Sequence, residues 1–413
     1  MPLGAWWALA SASETGLASE TVFERAPVKL PAFVLDAART PFGRRGGALA
    51  RWHPVDLASE LLAQLLGRAG VPHGAVDALI VGCASQVGAQ SGNIARRAGL
   101  ASGLPEGVPA FSLECHAASS AQAVVLAAQR VSTGESDLVL AGGVEVMSAV
   151  PLGAALAQPT LGKPLGRRLL ERYGREHPPP GLTAEMVARR SSLRREALDS
   201  WAWRSWKKAT AAQRRKPRYL VSLPMTPSGG GLVQKDEALQ GPPTRSAIRE
   251  LLPAYDEGGL ITAANIAAEG DGASGVVVAS RKAASELGAH PLAQLSWLVS
   301  AGGPPALWPL ATIPAALRVL DKGRLRAADI DWWYVHESSA AAVLAWAAEL
   351  GVPLERVNPE GGELATTSPV GAAGAALFAA ATACLAEGRG ERVALCVAGE
   401  GGVAVAAVLE RVT

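Results

Sequence analysis

The stretch Val108-Pro-Ala-Phe-Ser-Leu-Glu-Cys115-His-Ala117-Ala-Ser-Ser-Ala-Gln-Ala-Val124 changes character halfway along. Phe111 to Glu114 reads as a short strand. From about Ala118 to Thr133 the residues Ala121, Val124, Val125, Ala128 and Val131 recur at the three- and four-residue spacing of a helix face. Gly134 then offers a C-terminal stop. A strand that turns sharply into a helix presents the residue at the turn to a pocket, next to the unpaired N–H groups of the helix start. Here that turn carries Cys115, His116 and Ala117, and a methyl group stands at the helix tip.

Working outward, Ala32 to Asp36 reads as a strand, and Asp56 to Leu66 as a helix with Leu57, Leu61 and Leu65 on one face. Val76 to Cys83 is a further strand, and Leu138 to Ala141 runs into Gly142-Gly143. The same order returns near the end of the chain. A helix from Pro314 stops at Gly323, a strand Asp331 to Val335 leads into a helix from Ser338, and Gly361-Gly362 precedes a helix over Gly371 to Leu385. The strand Val393 to Val397 then closes onto Gly399-Glu-Gly-Gly402. This pattern predicts an α/β protein of two similar halves. The expected divisions are an N-terminal extension over 1–28, a first half over 29–148 and 256–275, an insertion over 149–255, and a second half over 276–413.

The insertion is rich in Arg, Lys and Pro, with Arg189-Arg190, Arg194-Arg195, Lys207-Lys208 and Arg214-Arg215-Lys216 on two polar-faced helices. Two readings stand: a solvated basic cap, or a cap whose charge meets a phosphorylated ligand. A net charge of +2 over 413 residues gives no field that draws nucleic acid or a membrane surface. No apolar run reaches bilayer length, and residues 1–27 lack the basic and apolar regions of a secretory signal. Four unpatterned cysteines, Cys83, Cys115, Cys384 and Cys396, point to a reducing, cytoplasmic setting.

The chain resembles the thiolase family from residue 29 to its end. The motifs that carry the resemblance run in order: Asp36-Ala-Ala-Arg39-Thr-Pro-Phe-Gly43, the strand-to-helix elbow at Cys115 to Ala117, and Leu140-Ala-Gly-Gly-Val-Glu-Val-Met147-Ser148. Gly181-Leu-Thr-Ala-Glu185, Leu260-Ile-Thr-Ala-Ala-Asn265 and Asp271-Gly-Ala273 come next, then His336-Glu337-Ser338, Asn358, Ser368-Pro-Val-Gly371 and Cys396-Val-Ala-Gly399. The resemblance implies a thiolase-like fold layered α-β-α-β-α with a helical loop-domain insertion. It also implies an acyl-CoA or acyl-carrier thioester as substrate, no resident cofactor or metal, and a homodimer or a heteromer with a thiolase-like partner.

It further implies four chemical groups. The acyl-accepting cysteine of the family falls on Ala117, and the histidine of its Gly-His-Pro motif falls on Ser368, within Thr367-Ser368-Pro369. His336 matches the oxyanion-binding position, and Cys396 the cysteine that moves the α proton, with Ala398 in place of a glycine. Contact with the thioester ligand falls on Ala267, where the family has serine, with Ala264 and Met147 in the flanking motifs. Loss of the nucleophile of a covalent enzyme costs roughly 10⁶ in turnover, about 8 kcal/mol of barrier.

Cys115 is a candidate substitute only if the turn shifts, because it lies about 6.6 Å back along the strand. Its competing reading is a small apolar core residue. Ser119 and Ser120 stand in the first helical turn, where they can cap it. The sequence therefore leads to a thiolase-like protein that binds or acts on acyl thioesters with altered chemistry. The alternative is a catalytically inactive subunit partnering an active thiolase-like protein.

Overall fold

Strands that are apolar on both faces need helices on both sides, and nearly every strand here is of that kind. The computed structural model describes residues 31–157, 162, 165–173 and 178–412. The expected N-terminal extension, 1–28, lies outside the described residues.

The first half contains β1 (Ala32–Arg39), β2 (Gly43–Arg44), α1 (Pro54–Ala69), β3 (Ala78–Gly82), α2 (Ile94–Ala101), β4 (Ala110–Leu113), α3 (Ser119–Ser132) and β5 (Leu138–Val146). The insertion contributes α4 (Pro180–Arg190), α5 (Arg195–Arg214) and a hairpin of β6 (Leu223–Thr226) and β7 (Gly229–Val233). The chain returns through β8 (Gly270–Ser280) and β9 (Ala293–Gly302) to α6 (Thr312–Gly323), β10 (Trp332–Val335), α7 (Ala340–Leu350), α8 (Ala373–Ala386), β11 (Arg392–Gly399) and β12 (Val403–Glu410).

The strand order is β4-β3-β5-β8-β1-β9-β12-β11-β10, with β2 paired to β8. Reading outward from the β1–β9 seam, both halves repeat one plan. In the first half β1 pairs antiparallel with β8, β8 antiparallel with β5, and β5 parallel with β3; in the second β9 pairs antiparallel with β12, β12 antiparallel with β11, and β11 parallel with β10. In the first half β4 then adds in parallel, and in the second a single parallel bridge, Trp333 to Val357, stands in its place. The seam itself is antiparallel and short, Phe33 with Gln294 and Val34 with Ala293.

Apolar side chains gather in three large clusters that match the layers and a small one around Ala209, Leu239 and Ala365. One lies between β-strands and α1 and α2, one between both half-sheets and the helices α3 and α8, and one between the second half-sheet and α6 and α7. This is the α-β-α-β-α arrangement expected from the sequence. Its central layer explains the wealth of Gly and Ala: a Cβ at Gly374 of α8 would fall 2.6 Å from the Ala121 backbone nitrogen of α3. Helices at that distance tolerate almost no side chain.

The helices α4 and α5 are not merely solvated. Val187, Ala188, Leu198, Trp201 and Ala202 enter the outer cluster of the second half, while Arg189, Arg190, Arg194 and Arg214 stay exposed. A buried bidentate pair of Arg39 with Asp236, at 2.6 and 2.8 Å, ties the end of β1 to the segment after β7. Among the described residues no helix is long and apolar enough to cross a membrane.

Candidate functional site

The strand β4 ends at Leu113, and the backbone turns through Cys115 and His116, the latter in the left-handed region at φ 48°. A 3₁₀ turn, His116–Ala118, leads into α3. Ser119 secures the turn by accepting from the Cys115 N–H at 2.8 Å and donating to the His116 carbonyl at 2.6 Å. Neither serine caps the helix as the sequence suggests. Ser120 instead accepts from the Ala375 N–H at 2.9 Å, locking α3 to α8.

Ala117 opens onto a cavity of about 280 Å³ at the boundary of the two halves and the insertion. The second half supplies His336 and Ser338 from the turn after β10, and Ser368 and Val370 from the loop before α8. The chain before β8 adds Ile266 and Ala267, and Met147 closes one side after β5. Pro179, Pro180 and Tyr255 form the insertion's share of the wall, and Trp308 adds an aromatic face. The lining is chiefly apolar with a few convergent polar groups, the usual character of a small-molecule site.

Of the residues singled out from sequence, Ala117, Ser368, His336, Ala267 and Met147 therefore line one cavity. Cys115, Cys396 and Ala264 are not among its lining residues. The Cys115 side chain packs against the inner apolar cluster, and its thiol is pushed up by burial and by the charge of Glu114. Cys396 is wholly buried in the outer cluster, and burial raises its thiol far above the ordinary cysteine range. A thiol so held stays protonated, the unreactive form.

His336 is fixed by β10, whose Val335 pairs in parallel with Cys396. Its own N–H donates to the Cys396 carbonyl at 2.9 Å. The imidazole hydrogen-bonds the Ala398 backbone, and burial pushes its pKa down to about 4. Nε2 is buried with no partner. Such a ring is neutral at pH 7 and a poor base.

Two buried glutamates hold the walls. Glu145 of β5 accepts from the N–H groups of Ala84, Ser85 and Gly371 and from Gln90. It thereby joins the loop after β3 to the loop before α8, and burial raises its pKa. Glu337 accepts from Trp201 Nε1 at 3.1 Å, Ser205 Oγ at 2.6 Å, Asn358 Nδ2 at 2.9 Å and the Leu364 N–H at 3.4 Å. Trp201 and Ser205 belong to α5, so the insertion is pinned to the residue next after His336. Burial first, and then the nearby charge of Glu363, raise Glu337 to about 7.

Next to Ser368, Thr367 sits at φ 79° and ψ 165°. That region is essentially reserved for glycine and costs about 1–3 kcal/mol elsewhere. The resemblance sets Thr367 where the family's Gly-His-Pro motif has glycine, the residue that this region favours. Tyr255, Trp308 and Pro179-Pro180 line the cavity although no motif marks them. Glu145, Gly181, Glu337, Ser338 and Val370 stand inside motifs that could draw attention to them. Among the described residues no group of three or more His, Cys, Asp or Glu side chains is placed to hold a metal ion.

Comparison with known proteins gives a consistent result. The model of the thiolase N-terminal domain matches residues 32–282, and that of the thiolase C-terminal domain matches 289–411. A steroid 3-ketoacyl-CoA thiolase of Mycobacterium tuberculosis is 35% identical over 86% of this chain and 88% of its own length. An acetyl-CoA acetyltransferase of Cupriavidus necator is 33% identical over 90% of this chain and 98% of its own. Among solved structures, human mitochondrial 3-ketoacyl-CoA thiolase superposes with a TM-score of 0.85 at 26% identity, covering 93% of this chain and all (100%) of the other. The acetyl-CoA acetyltransferase of Bacillus anthracis also gives a TM-score of 0.85, at 30% identity, over 94% of this chain and 100% of its own.

Proposed function

Because this chain belongs to the thiolase family, we propose that it binds acyl thioesters of coenzyme A or of a carrier protein without forming an acyl-enzyme. The observation that carries this reading is Ala117, a methyl group at the helix tip in the wall of the cavity. The positive end of α3 still faces that space and favours a carbonyl oxygen or other partial negative charge. Apolar side chains of Met147, Ile266 and Trp308 suit an acyl chain.

Chemistry by group transfer is another matter. Ser368 cannot serve as a base near neutral pH, His336 is too weakly basic, and neither cysteine near the turn lines the cavity. The barrier left by a missing nucleophile, about 8 kcal/mol, exceeds what hydrogen bonds to the thioester return. Protein mixed with hexanoyl-CoA should show saturable heat in calorimetry and no mass increase by intact mass spectrometry. A covalent adduct, or no heat at all, overturns the reading.

The alternative, a silent subunit beside an active thiolase-like partner, draws on one feature. At the outer edge of the sheet β4 leaves Phe111 48% exposed beside Leu126, next to unpaired strand backbone. Such an edge is suited to pairing with another chain. Light scattering of the protein alone and with an intact relative separates the cases, since a stable lone homodimer that refuses the relative counts against it.

A further inference from the structure

Behind one wall of the acyl cavity lies a second chamber, of about 410 Å³, bordered by Arg44, Arg45, Trp206, Glu269, Leu364 and Thr367 among others. The partition between the two consists of two backbone segments. The Ser368 N–H donates to the Ala268 carbonyl at 2.8 Å, and Glu269 bridges Ser368 in parallel. Successive side chains of extended chain point opposite ways, so Ser368 borders the acyl cavity while Thr367 borders the second chamber. Ala268 and Glu269 border both.

The frame of this chamber is fixed by its neighbours. β2 pairs with the start of β8, Gly43 with Asp271 and Arg44 with Gly270, which sets both arginines beside Glu269. The turn that follows is tied down where the Gly46 N–H donates to Ser148 Oγ at 2.7 Å. On α5, Trp201 and Ser205 hold Glu337, whereas Trp206 packs against Ala209, Leu239 and Ala365 and lends its side chain to the chamber wall.

Of the charged side chains on this lining, two are cations and one is an anion. Arg45 Nη1 donates to Glu269 Oε2 at 2.8 Å, with the two side chains 52% and 36% exposed. An ion pair so open to water contributes little, so another carboxylate can take the place of Glu269 at small cost. Arg44 stands 3.7 Å from Glu237 Oε1, too far for a good hydrogen bond. Glu237 is already engaged through Oε2 by the N–H groups of Arg44 and Ala48, at 2.8 and 2.9 Å. Each guanidinium offers five donors in a fork that matches a carboxylate. The rest of the lining is mainly apolar, Trp206, Leu364 and several alanines, and the volume suits a small organic molecule. A doubly charged phosphate would meet a lining with one cation in excess.

We infer that this chamber is a second binding site, for a small carboxylic acid with an apolar body. The carboxylate sits on Arg45 in place of Glu269, and the body lies against Trp206 and Leu364. No bond is made or broken, and the site stands independently of the thioester reading.

The test titrates the full-length protein in a calorimeter with 3-phenylpropionate, 3-phenylpropanol and inorganic phosphate. The acid should give saturable heat, and the alcohol, which lacks the charge, should bind about tenfold more weakly. Arg45→Gln should weaken the acid about tenfold. Glu269→Gln removes the competitor for Arg45 and should strengthen the acid by about threefold, the worth of an exposed pair. Saturating hexanoyl-CoA should leave the acid bound. No heat with the acid, equal affinity for acid and alcohol, or phosphate binding as tightly as the acid each overturn the inference. So do substitutions at 45 and 269 that act in the same direction, and displacement by hexanoyl-CoA, which would put the acid in the acyl cavity. A protein that takes the acid but gives no heat with hexanoyl-CoA refutes the thioester reading and leaves the second site standing.

Discussion

Returning sulfur to the helix tip is the most direct perturbation of this site. Ala117→Cys adds one heavy atom to a residue 4% exposed on the cavity wall. An ordinary cysteine with a pKa near 8.5 is about 3% thiolate at pH 7. The helix end favours the anion by about 0.3–1 kcal/mol, or ~0.2–0.7 of a pH unit, while burial acts against it, as it does at neighbouring Cys115. The two effects offset, so a few per cent of thiolate is the expectation, and neither His336 nor Ser368, the two positions facing it from the second half, removes the proton. His336 at about 4 is protonated too reluctantly, and Ser368 has no basic form at this pH. Acylation by hexanoyl-CoA should therefore be slow, and its rate should climb about tenfold per pH unit from roughly 6 to 8. Adding Ser368→His supplies a base near its working range and should accelerate acylation at pH 7 by about 10²-fold or more. Intact mass at timed intervals, then peptide mapping, reads both rates and the residue modified. A single variant that acylates rapidly and independently of pH would refute the reasoning, because it would show that another wall residue, His116, Glu269 or Glu400, takes the proton. So would a double variant that binds hexanoyl-CoA yet never acquires an adduct at position 117.

Two further outcomes arise from the buried groups. With Glu337 raised to about 7, against about 4.3 for an exposed glutamate, the folded chain keeps a proton that the unfolded chain has already released. Its contribution is full below pH ~4.3, falls as pH rises to about 7, and is level above, a total of about 4 kcal/mol. Glu337→Gln should remove that dependence, so the gap between variant and unaltered urea midpoints should change between pH 5 and 8, whereas parallel curves would show an ordinary carboxyl. Thr367→Gly should relieve the disfavoured backbone at φ 79°, worth about 1–3 kcal/mol, less about 0.5–1 for glycine's freedom when unfolded. A thermal midpoint raised by a few degrees is expected, and a lowered one contradicts the strain.

Much of the architecture is written locally in the chain. The helix stripe Leu57, Leu61 and Leu65 is wholly buried in α1, and Gly134 takes the positive φ expected just after α3. The long strands β8, β9 and β12 leave little trace, because Val276 to Ala279 and Val405 to Leu409 are buried on both faces and show no alternation. Runs of that kind look the same in a buried helix. The cavity is legible only where one turn supplies the side chain, as with Ala117 and His336. Trp308 and Tyr255 arrive from separate segments through tertiary packing, which no local period encodes. The same limit applies to Cys396: a position in a strand does not say which side of the sheet its sulfur faces, and here it joins the outer cluster.

The repeated plan of the two halves has a consequence for how this chain changes over time. Position 117 belongs to the first repeat and position 368 to the second, yet both border one shared chamber. On the proposed reading, a chamber with a methyl group at 117 leaves a proton carrier at 368 nothing to discharge. A change at either position is therefore felt by both repeats at once, while the scaffold around the chamber keeps its shape.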